Sequence, residues 1–313
     1  MAHHGLTLDD MDYLSAGKRA RLYRMLYEYG PGHGKLMILP IDQGLEHGPR
    51  DFFENPDALD PDFQYRLAIE GGFSAIALQI GLAEKFYGHY AGRVPLIVKV
   101  NGKTEIPPDD AAFSPLTGTV GDAVRLGADA VGYTVYVGSS SQDRDFIQFN
   151  QVRVDAERYG IPVIVWAYPR GTSVKAKGGQ DSLWAVDYAA RVAQELGADV
   201  VKVNFPKGDP QPASPKPYDT LKLSPDEAMR QVVRSAGRTL LLVSGGAKKG
   251  DDDVLKMVSS SLKAGVTGFI FGRNLWQRKY PDALKMAHAI TEQILDTVGA
   301  KEAKPRTIQT RSS

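Results

Sequence analysis

The chain has 313 residues, 42% hydrophobic and 24% charged, enough to bury a full core as one large barrel or two ordinary domains. A formal net charge of +1 leaves no surplus for tracking a phosphate backbone or an anionic membrane, so nucleic acid is not an expected partner. The absence of cysteine excludes disulfides, thiolate catalysis and cysteine metal sites, and a cytoplasmic setting is expected.

The first residues, Met1-Ala2-His3-His4-Gly5-Leu6, lack the basic start and apolar stretch of a signal peptide. No apolar run approaches the roughly 20 residues that span a bilayer, so no membrane partner is expected. Residues 8–29 read as one helix with an apolar stripe of Leu14, Leu22, Met25, Leu26 and Tyr29, placed to plug or flank the bottom of a barrel. Eight strand-sized apolar segments then punctuate the chain, at 36–41, 75–80, 96–100, 130–135, 163–167, 200–205, 240–243 and 269–271. Amphipathic stretches of helical length lie between most of them, among them 122–126, 143–159, 182–196, 225–236 and 252–264. Several of these end in glycine just before the next strand, at Gly71-Gly72, Gly127, Gly197 and Gly265, where a left-handed cap stops a helix.

The repeat is therefore a βα unit, and eight such units in about 250 residues predict an α/β fold, a (β/α)8 TIM barrel with an additional N-terminal helix. A doubly wound sheet is the rival. Its glycine fingerprint would have to follow a strand, whereas Gly30-Pro31-Gly32-His33-Gly34 precedes the first strand and lacks the spacing. The expected organisation is one domain: a helical extension over 1–34, the barrel over 35–298 and a flexible tail over 299–313. The proline-rich stretch 206–217 is expected to form a loop over the barrel mouth.

In such a barrel, functional residues gather at the C-terminal ends of strands and in the loops after them. The unusual polar residues occupy those ends: Asp42 after the first strand, Lys99 and Asn101 on the third, Trp166 and Tyr168 on the fifth, Lys202 and Asn204 on the sixth. Strand alternation puts each pair on one face, so facing inward they gather two amines, a phenol and a carboxylate. Lys202, in Val200-Val201-Lys202-Val203-Asn204, sits in an apolar run where burial disfavours the charged form and favours a nucleophilic amine, a Schiff-base former. A structural ion pair with Asp42 is the alternative. Lys99 shares the Val-Lys-Val setting, and periodicity does not choose between the two. A charged Lys99 that lowers the pKa of Lys202 is one division of labour.

The loops after the last two strands, Ser244-Gly245-Gly246 and Gly272-Arg273, carry the glycines, hydroxyl and guanidinium of a barrel phosphate site. A P-loop is absent. His33, His47 and His89 show no paired spacing and no dense carboxylate cluster joins them, so neither metal nor cofactor is expected. His47 reads as a first-loop residue touching substrate or Tyr168, or as a turn hydrogen bond.

Taken in order, Asp42-Gln43-Gly44-Leu45-Glu46-His47-Gly48-Pro49, Val98-Lys99-Val100-Asn101-Gly102-Lys103-Thr104, Val135-Tyr136-Val137-Gly138-Ser139, Trp166-Ala167-Tyr168-Pro169-Arg170-Gly171, Lys202, Ser244-Gly245-Gly246 and Phe271-Gly272-Arg273 closely resemble the archaeal-type class I fructose-bisphosphate aldolases, a group also found in bacteria. The resemblance covers nearly the whole barrel. It implies that Lys202 forms the Schiff base, that Tyr168 is the general acid/base, that Asp42 serves the substrate hydroxyls and proton transfer, and that Trp166 walls the site. With His47, Lys99 and Asn204 as further substrate contacts, it implies that Ser244, Gly245, Gly246, Gly272 and Arg273 hold the phosphate next to the ketone. The implied substrate is fructose 1,6-bisphosphate, with no metal required and a pentamer-based homo-oligomer, often a decamer, as the assembly. The family's additional acidic residue falls to Asp209, Asp226 or Glu227, and Lys103, Arg170 and Lys177 are chemically suited to the distal phosphate. Two related Schiff-base enzymes share the lysine and phosphate loops, a 2-amino-3,7-dideoxy-heptulosonate synthase and a thiolase of phosphorylated autoinducer-2; Gln43, Glu46-His47 and Trp166 favour the aldolase. A phosphate-binding barrel without catalysis is the non-enzymatic alternative.

Overall fold

A computed structural model of the chain describes residues 6–299. His3, His4 and all but the first residue of the expected tail lie outside the described residues; that first residue, Gly299, closes a helix spanning Tyr280–Gly299. Eight parallel strands close into a barrel in sequence order: β1 (Leu36–Pro40), β2 (Ala75–Gln79), β3 (Leu96–Lys99), β4 (Ala130–Val137), β5 (Val163–Pro169), β6 (Val200–Val203), β7 (Leu240–Ser244) and β8 (Gly268–Ile270). Each coincides with a predicted apolar segment to within two residues at either end.

Alternation along these strands divides the apolar side chains into two sets. Val98, Val131, Val163, Val165, Val201, Val203, Leu241 and Val243 face outward into the layer of helices. Ile38, Ala75, Ala77, Ile97, Ala130, Ile164, Val200, Leu240, Leu242 and Ile270 fill the interior, where Trp166 caps them. Strands buried on both faces have no polar alternation to show, which is why each reads as a continuous apolar run. Of the glycines expected to end helices, Gly127, Gly197 and Gly265 take positive φ (73°, 91° and 96°), whereas at Gly71-Gly72 the left-handed residue is Gly72.

The N-terminal region differs from the single helix expected. A 3-10 turn at Leu8–Asp10 is followed by a break, and only then by an α-helix at Ala16–Tyr23 that passes into a π-helical turn at Arg24–Glu28. Ser15 adopts extended geometry (φ −59°, ψ 152°) at the helix start, so the stripe is continued by a bent chain. The bend lets Leu8 and Met11 join Leu22, Met25 and Leu26 against the lower interior layer of the barrel, plugging its base. Each fully buried side chain of this kind contributes roughly 1.5–3 kcal/mol. The buried Lys18 fastens the plug by pairing with Asp199 at the foot of β6 (3.0 Å) and with Glu157 (2.9 Å).

The proline-rich loop also departs from expectation. It lies beside the mouth, strapped to the segment after β5: Lys207 N–H donates to the Asp181 carbonyl (2.8 Å), Ser214 to the Lys177 carbonyl (2.9 Å), and Tyr218 to Asp187 (2.6 Å). These hydrogen bonds satisfy backbone and hydroxyl groups along the strap, and none of residues 206–217 lines the central cavity.

Candidate active site

A cavity of about 350 Å³ opens at the C-terminal ends of the strands, and Asp42, His47, Tyr168, Lys202, Asn204, Ser244, Gly245, Gly246, Gly272 and Arg273 all line it. Two further predicted residues lie outside its lining. Trp166 is buried on the interior face of β5, and Lys99 lines a small adjoining recess with Asp42 and Thr134.

The two lysines part company here. Lys99 Nζ donates to Asp42 Oδ2 (3.0 Å) and Thr134 Oγ1 (2.8 Å), so its charge is fully engaged. Lys202 Nζ makes no hydrogen bond or ion pair among the described residues; it lies 5.3 Å from the Trp166 ring and 5.1 Å from the Tyr168 ring. Burial, opposed by Asp42 and reinforced by Lys99, brings the Lys202 pKa down to about 8. At pH 7 about a tenth of such an amine is neutral, against roughly one part in three thousand for an ordinary lysine. Gly132 on β4 makes the arrangement fit, because a Cβ there would lie 2.7 Å from Lys99 Cδ and 2.8 Å from the Trp166 ring.

Asp42 stands directly after β1 without using its side chain to cap the short helix Gln43–Glu46. Burial works against its charge, yet Lys99 and Lys202 outweigh burial and hold the carboxyl below its usual range. Among the described residues its Oδ1 has no partner, and neither does the buried Trp166 Nε1. The Tyr168 hydroxyl likewise makes no hydrogen bond among the described residues, and burial, with the negative charges of Glu46 and Asp42, raises its pKa well above 10. Unused hydrogen-bonding capacity thus converges around one unpaired amine, that of Lys202. Buried polar groups are seldom left unpaired without a functional reason.

On the opposite wall, Asn204 donates to Asp181 Oδ1 (2.9 Å) and accepts from Ser244 (2.9 Å). The loops after β7 and β8 are clamped together by buried Asn274, which accepts from Lys249 N–H (2.8 Å) and donates to the Ala247 carbonyl (3.3 Å). A Cβ on Gly245 would meet Asn274 Nδ2 at 2.5 Å, so glycine is what lets the clamp close. Arg273 reaches in from the β8 side, 3.7 Å from Asp51, which also holds His47 Nδ1 (2.7 Å). His47 therefore faces the cavity bonded to Asp51, with no bond to Tyr168. Asn101 turns away from the cavity, bracing β4 through Thr134 N–H (2.7 Å) and its carbonyl (2.9 Å).

None of the three acids considered for the extra acidic role lines the cavity. Glu227 is an exposed helix cap on Ser224, Asp226 stands beside it in the first helical turn, and Asp209 is exposed on the side loop. The lining carboxylates besides Asp42 are Glu46 and Asp181. Glu46 follows Asp42 by four residues across a helical turn, a spacing that places it on the same side. Asp181 sits in a polar loop, Gln180-Asp181-Ser182, and carries no such signal. Among the basic candidates, Arg170 lines the cavity, Lys103 lines the adjoining recess, and Lys177 points outward over Trp184 (5.8 Å). Among the described residues no group of three or more His, Cys, Asp or Glu is placed to hold a metal ion.

A family profile described as DeoC/LacD family aldolase matches residues 36–278. The chain is 42% identical over 273 residues, 87% of its length and 93% of the relative's, to a class 1 fructose-bisphosphate aldolase of Thermoproteus tenax. Among solved structures it is similar to an archaeal fructose-1,6-bisphosphate aldolase whose catalytic lysine is covalently bound to the carbinolamine intermediate of the substrate, with a TM-score of 0.75, 39% identity, and 88% of this chain and 98% of that one covered. The fructose-bisphosphate aldolase of Slackia heliotrinireducens gives a TM-score of 0.78 at 26% identity, covering 97% of this chain and 98% of its own.

Proposed function

The chain belongs to the DeoC/LacD family of aldolases, and from that premise we propose how its own residues carry out the class I reaction, the reversible cleavage of fructose 1,6-bisphosphate to dihydroxyacetone phosphate and glyceraldehyde 3-phosphate. The observation that carries the assignment is the contrast between a Lys202 amine with no bonding partner and a Lys99 amine committed to Asp42 and Thr134.

Lys202 adds to the C2 ketone, and loss of water leaves an iminium. Removal of the C4 hydroxyl proton lets the C3–C4 bond break, its electron pair passing into the iminium to give an enamine while glyceraldehyde 3-phosphate departs. Protonation of the enamine at C3 and hydrolysis release dihydroxyacetone phosphate and restore the amine. Tyr168 and Asp42 move these protons: Tyr168, held as a phenol throughout the neutral range, donates and becomes a base only once its own proton has been given up, and the Asp42 carboxylate is the group able to accept. Asp42, His47 and Asn204 orient the sugar hydroxyls, Lys99 holds Asp42 in place for them, and Trp166 walls the amine. Ser244, the N–H groups of Gly245, Gly246, Gly272 and Arg273, and the Arg273 guanidinium take the phosphate beside the ketone. Arg170, with Lys103 behind it, takes the distal phosphate. The same reading makes the enzyme a cytoplasmic homo-oligomer, pentamer-based or decameric. Among the described residues no helix is long and apolar enough to cross a membrane, and the chain has no cysteine.

Borohydride reduction in the presence of dihydroxyacetone phosphate, followed by peptide mapping, tests the assignment. An adduct on Lys202, absent from Lys202→Met, is expected. An unmodified Lys202 in an active enzyme would refute it. Cleavage of fructose 1,6-bisphosphate that survives EDTA separates this route from a metal-dependent one.

A further inference from the structure

At the rim of the cavity, the Asp109 carboxylate bridges two cations, taking Lys103 Nζ on Oδ1 (2.7 Å) and Arg170 Nε on Oδ2 (3.2 Å). Each cation also has contacts of its own. Arg170 donates to the Pro169 carbonyl (2.9 Å) and lies 5.2 Å from the centre of the Tyr168 ring; Lys103 donates to the Thr104 carbonyl (3.2 Å) and lies 5.8 Å from the Tyr136 ring. Their side chains are 18% and 13% exposed, against 38% for Asp109.

Asp109 itself rides on a 3-10 turn, Asp109–Ala111, with no buried residue of its own. Ile106, just before it, is 88% exposed. Beyond the Ser139 bond to the Ala112 carbonyl (2.7 Å), the turn is held by long contacts: Ser140 and Ser141 to the carbonyls of Asp110 and Ala111 (both 3.4 Å) and Lys175 to Asp110 (3.4 Å). Of the three members of the cluster, the carboxylate is the one free to leave.

We propose that Asp109 is a specificity-determining placeholder, a carboxylate that occupies the position of the substrate's distal phosphate and must leave when a bisphosphate binds. The inference rests on the assignment of Arg170 and Lys103 to that phosphate. Arg170 and Lys202 both lie about 5 Å from the same Tyr168 ring, so the cluster is within the reach of a sugar whose ketone is at Lys202. A phosphate dianion satisfies both cations better than one carboxylate and displaces it. A ketose carrying only the proximal phosphate leaves Asp109 in place. The carboxylate therefore adds a cost to bisphosphate binding alone, and it blocks adventitious anions from a pair of half-buried cations.

Asp109→Asn, which removes the charge and keeps the shape, tests this by steady-state kinetics on fructose 1,6-bisphosphate and fructose 1-phosphate. The expected result is a KM for the bisphosphate lowered about fivefold, the scale of one partly exposed ion pair, with the KM for the monophosphate unchanged. Asp109→Ser is expected to do the same, and Arg170→Met in the Asp109→Asn background to cancel the gain. A bisphosphate KM that rises or stays level, or a fall shared equally by both substrates, overturns the proposal and assigns Asp109 to scaffolding or to general electrostatics. A wild-type enzyme that does not cleave fructose 1,6-bisphosphate would instead remove the reading on which the proposal rests.

Discussion

Replacing Lys99 by methionine separates the two lysines by their electrostatics. Lys99 and Lys202 flank the Trp166 ring at 4.6 and 5.3 Å from its centre, which caps their separation at about 10 Å. At an effective dielectric of about 20, two like charges that far apart repel by at least ~1.7 kcal/mol, a little over one pKa unit. Removing Lys99 also strips Asp42 of its hydrogen-bonded cation and leaves Lys202 as the remaining counter-charge. Both changes push the Lys202 pKa upward from about 8. In the wild type, turnover and borohydride trapping should rise with pH through about 8, because the nucleophile is the deprotonated amine. In Lys99→Met the midpoint of both profiles should move above 9, with at least a tenfold loss of trapping rate at pH 7 and recovery near pH 10. Loss of the buried pair costs about 3–5 kcal/mol, so a thermal melt must first confirm folding. The double variant Lys99→Met/Asp42→Asn supplies the control: with no carboxylate to hold its proton, Lys202 should titrate well below the single variant. A midpoint still at 8 in Lys99→Met would show that the amines are uncoupled. Loss of the adduct at every pH in a folded protein would transfer the nucleophile to Lys99.

Tyr168→Phe should lower turnover by about 10²–10⁴-fold, the usual worth of a positioned acid/base, while mass spectrometry still finds the reduced adduct on Lys202. Gly245→Ala places a Cβ 2.5 Å from Asn274 Nδ2 and 2.9 Å from the Phe271 ring, so the clamp between the last two loops must open; KM should rise at least tenfold and the melting temperature should fall. Lys18→Met leaves Asp199 buried without its cation and should destabilise the chain by about 3–5 kcal/mol in denaturant unfolding, with kcat of the folded enzyme unchanged because the pair lies at the opposite end of the barrel.

The parallel sheet was legible because its strands are buried on both faces, as in the run Val163-Ile164-Val165 between two amphipathic helices, and the count of eight such units then favoured a closed barrel over a doubly wound sheet. The N-terminal helix was overextended because a stripe at helical spacing survives a bend, provided that the bent chain returns to the same apolar base, as Leu8 and Met11 do. Within the site, residues with a strand-end address were found and those reached only through long-range contacts were not. Asp181 meets Asn204 across 23 positions, and Asn274 meets Lys249 across 25, so neither has a local signature. Gly132 went unremarked in the sequence although it carries a local signal: a glycine within an otherwise bulky strand marks close approach, here the space taken by Lys99 and Trp166.

Identical local settings gave Lys99 and Lys202 opposite chemistry, and the reason lies across the barrel. β3 is paired with β4, which presents Thr134 to the Lys99 amine, and Asp42 at the end of β1 supplies the charge; together they turn Lys99 into a fixed cation. β6 lies between β5 and β7, whose residues opposite Lys202 in register are Trp166 and Leu242, neither of which offers an acceptor. Lys202 is therefore desolvated without being paired, a combination that lowers an amine's pKa while leaving its lone pair free for a carbonyl carbon. The fixed cation then adds to that effect by repulsion, and it keeps Asp42 from quenching the nucleophile. Lys99 thus acts on the reaction through Asp42, which is why exchanging one ion pair should move the titration of an amine that takes no part in it.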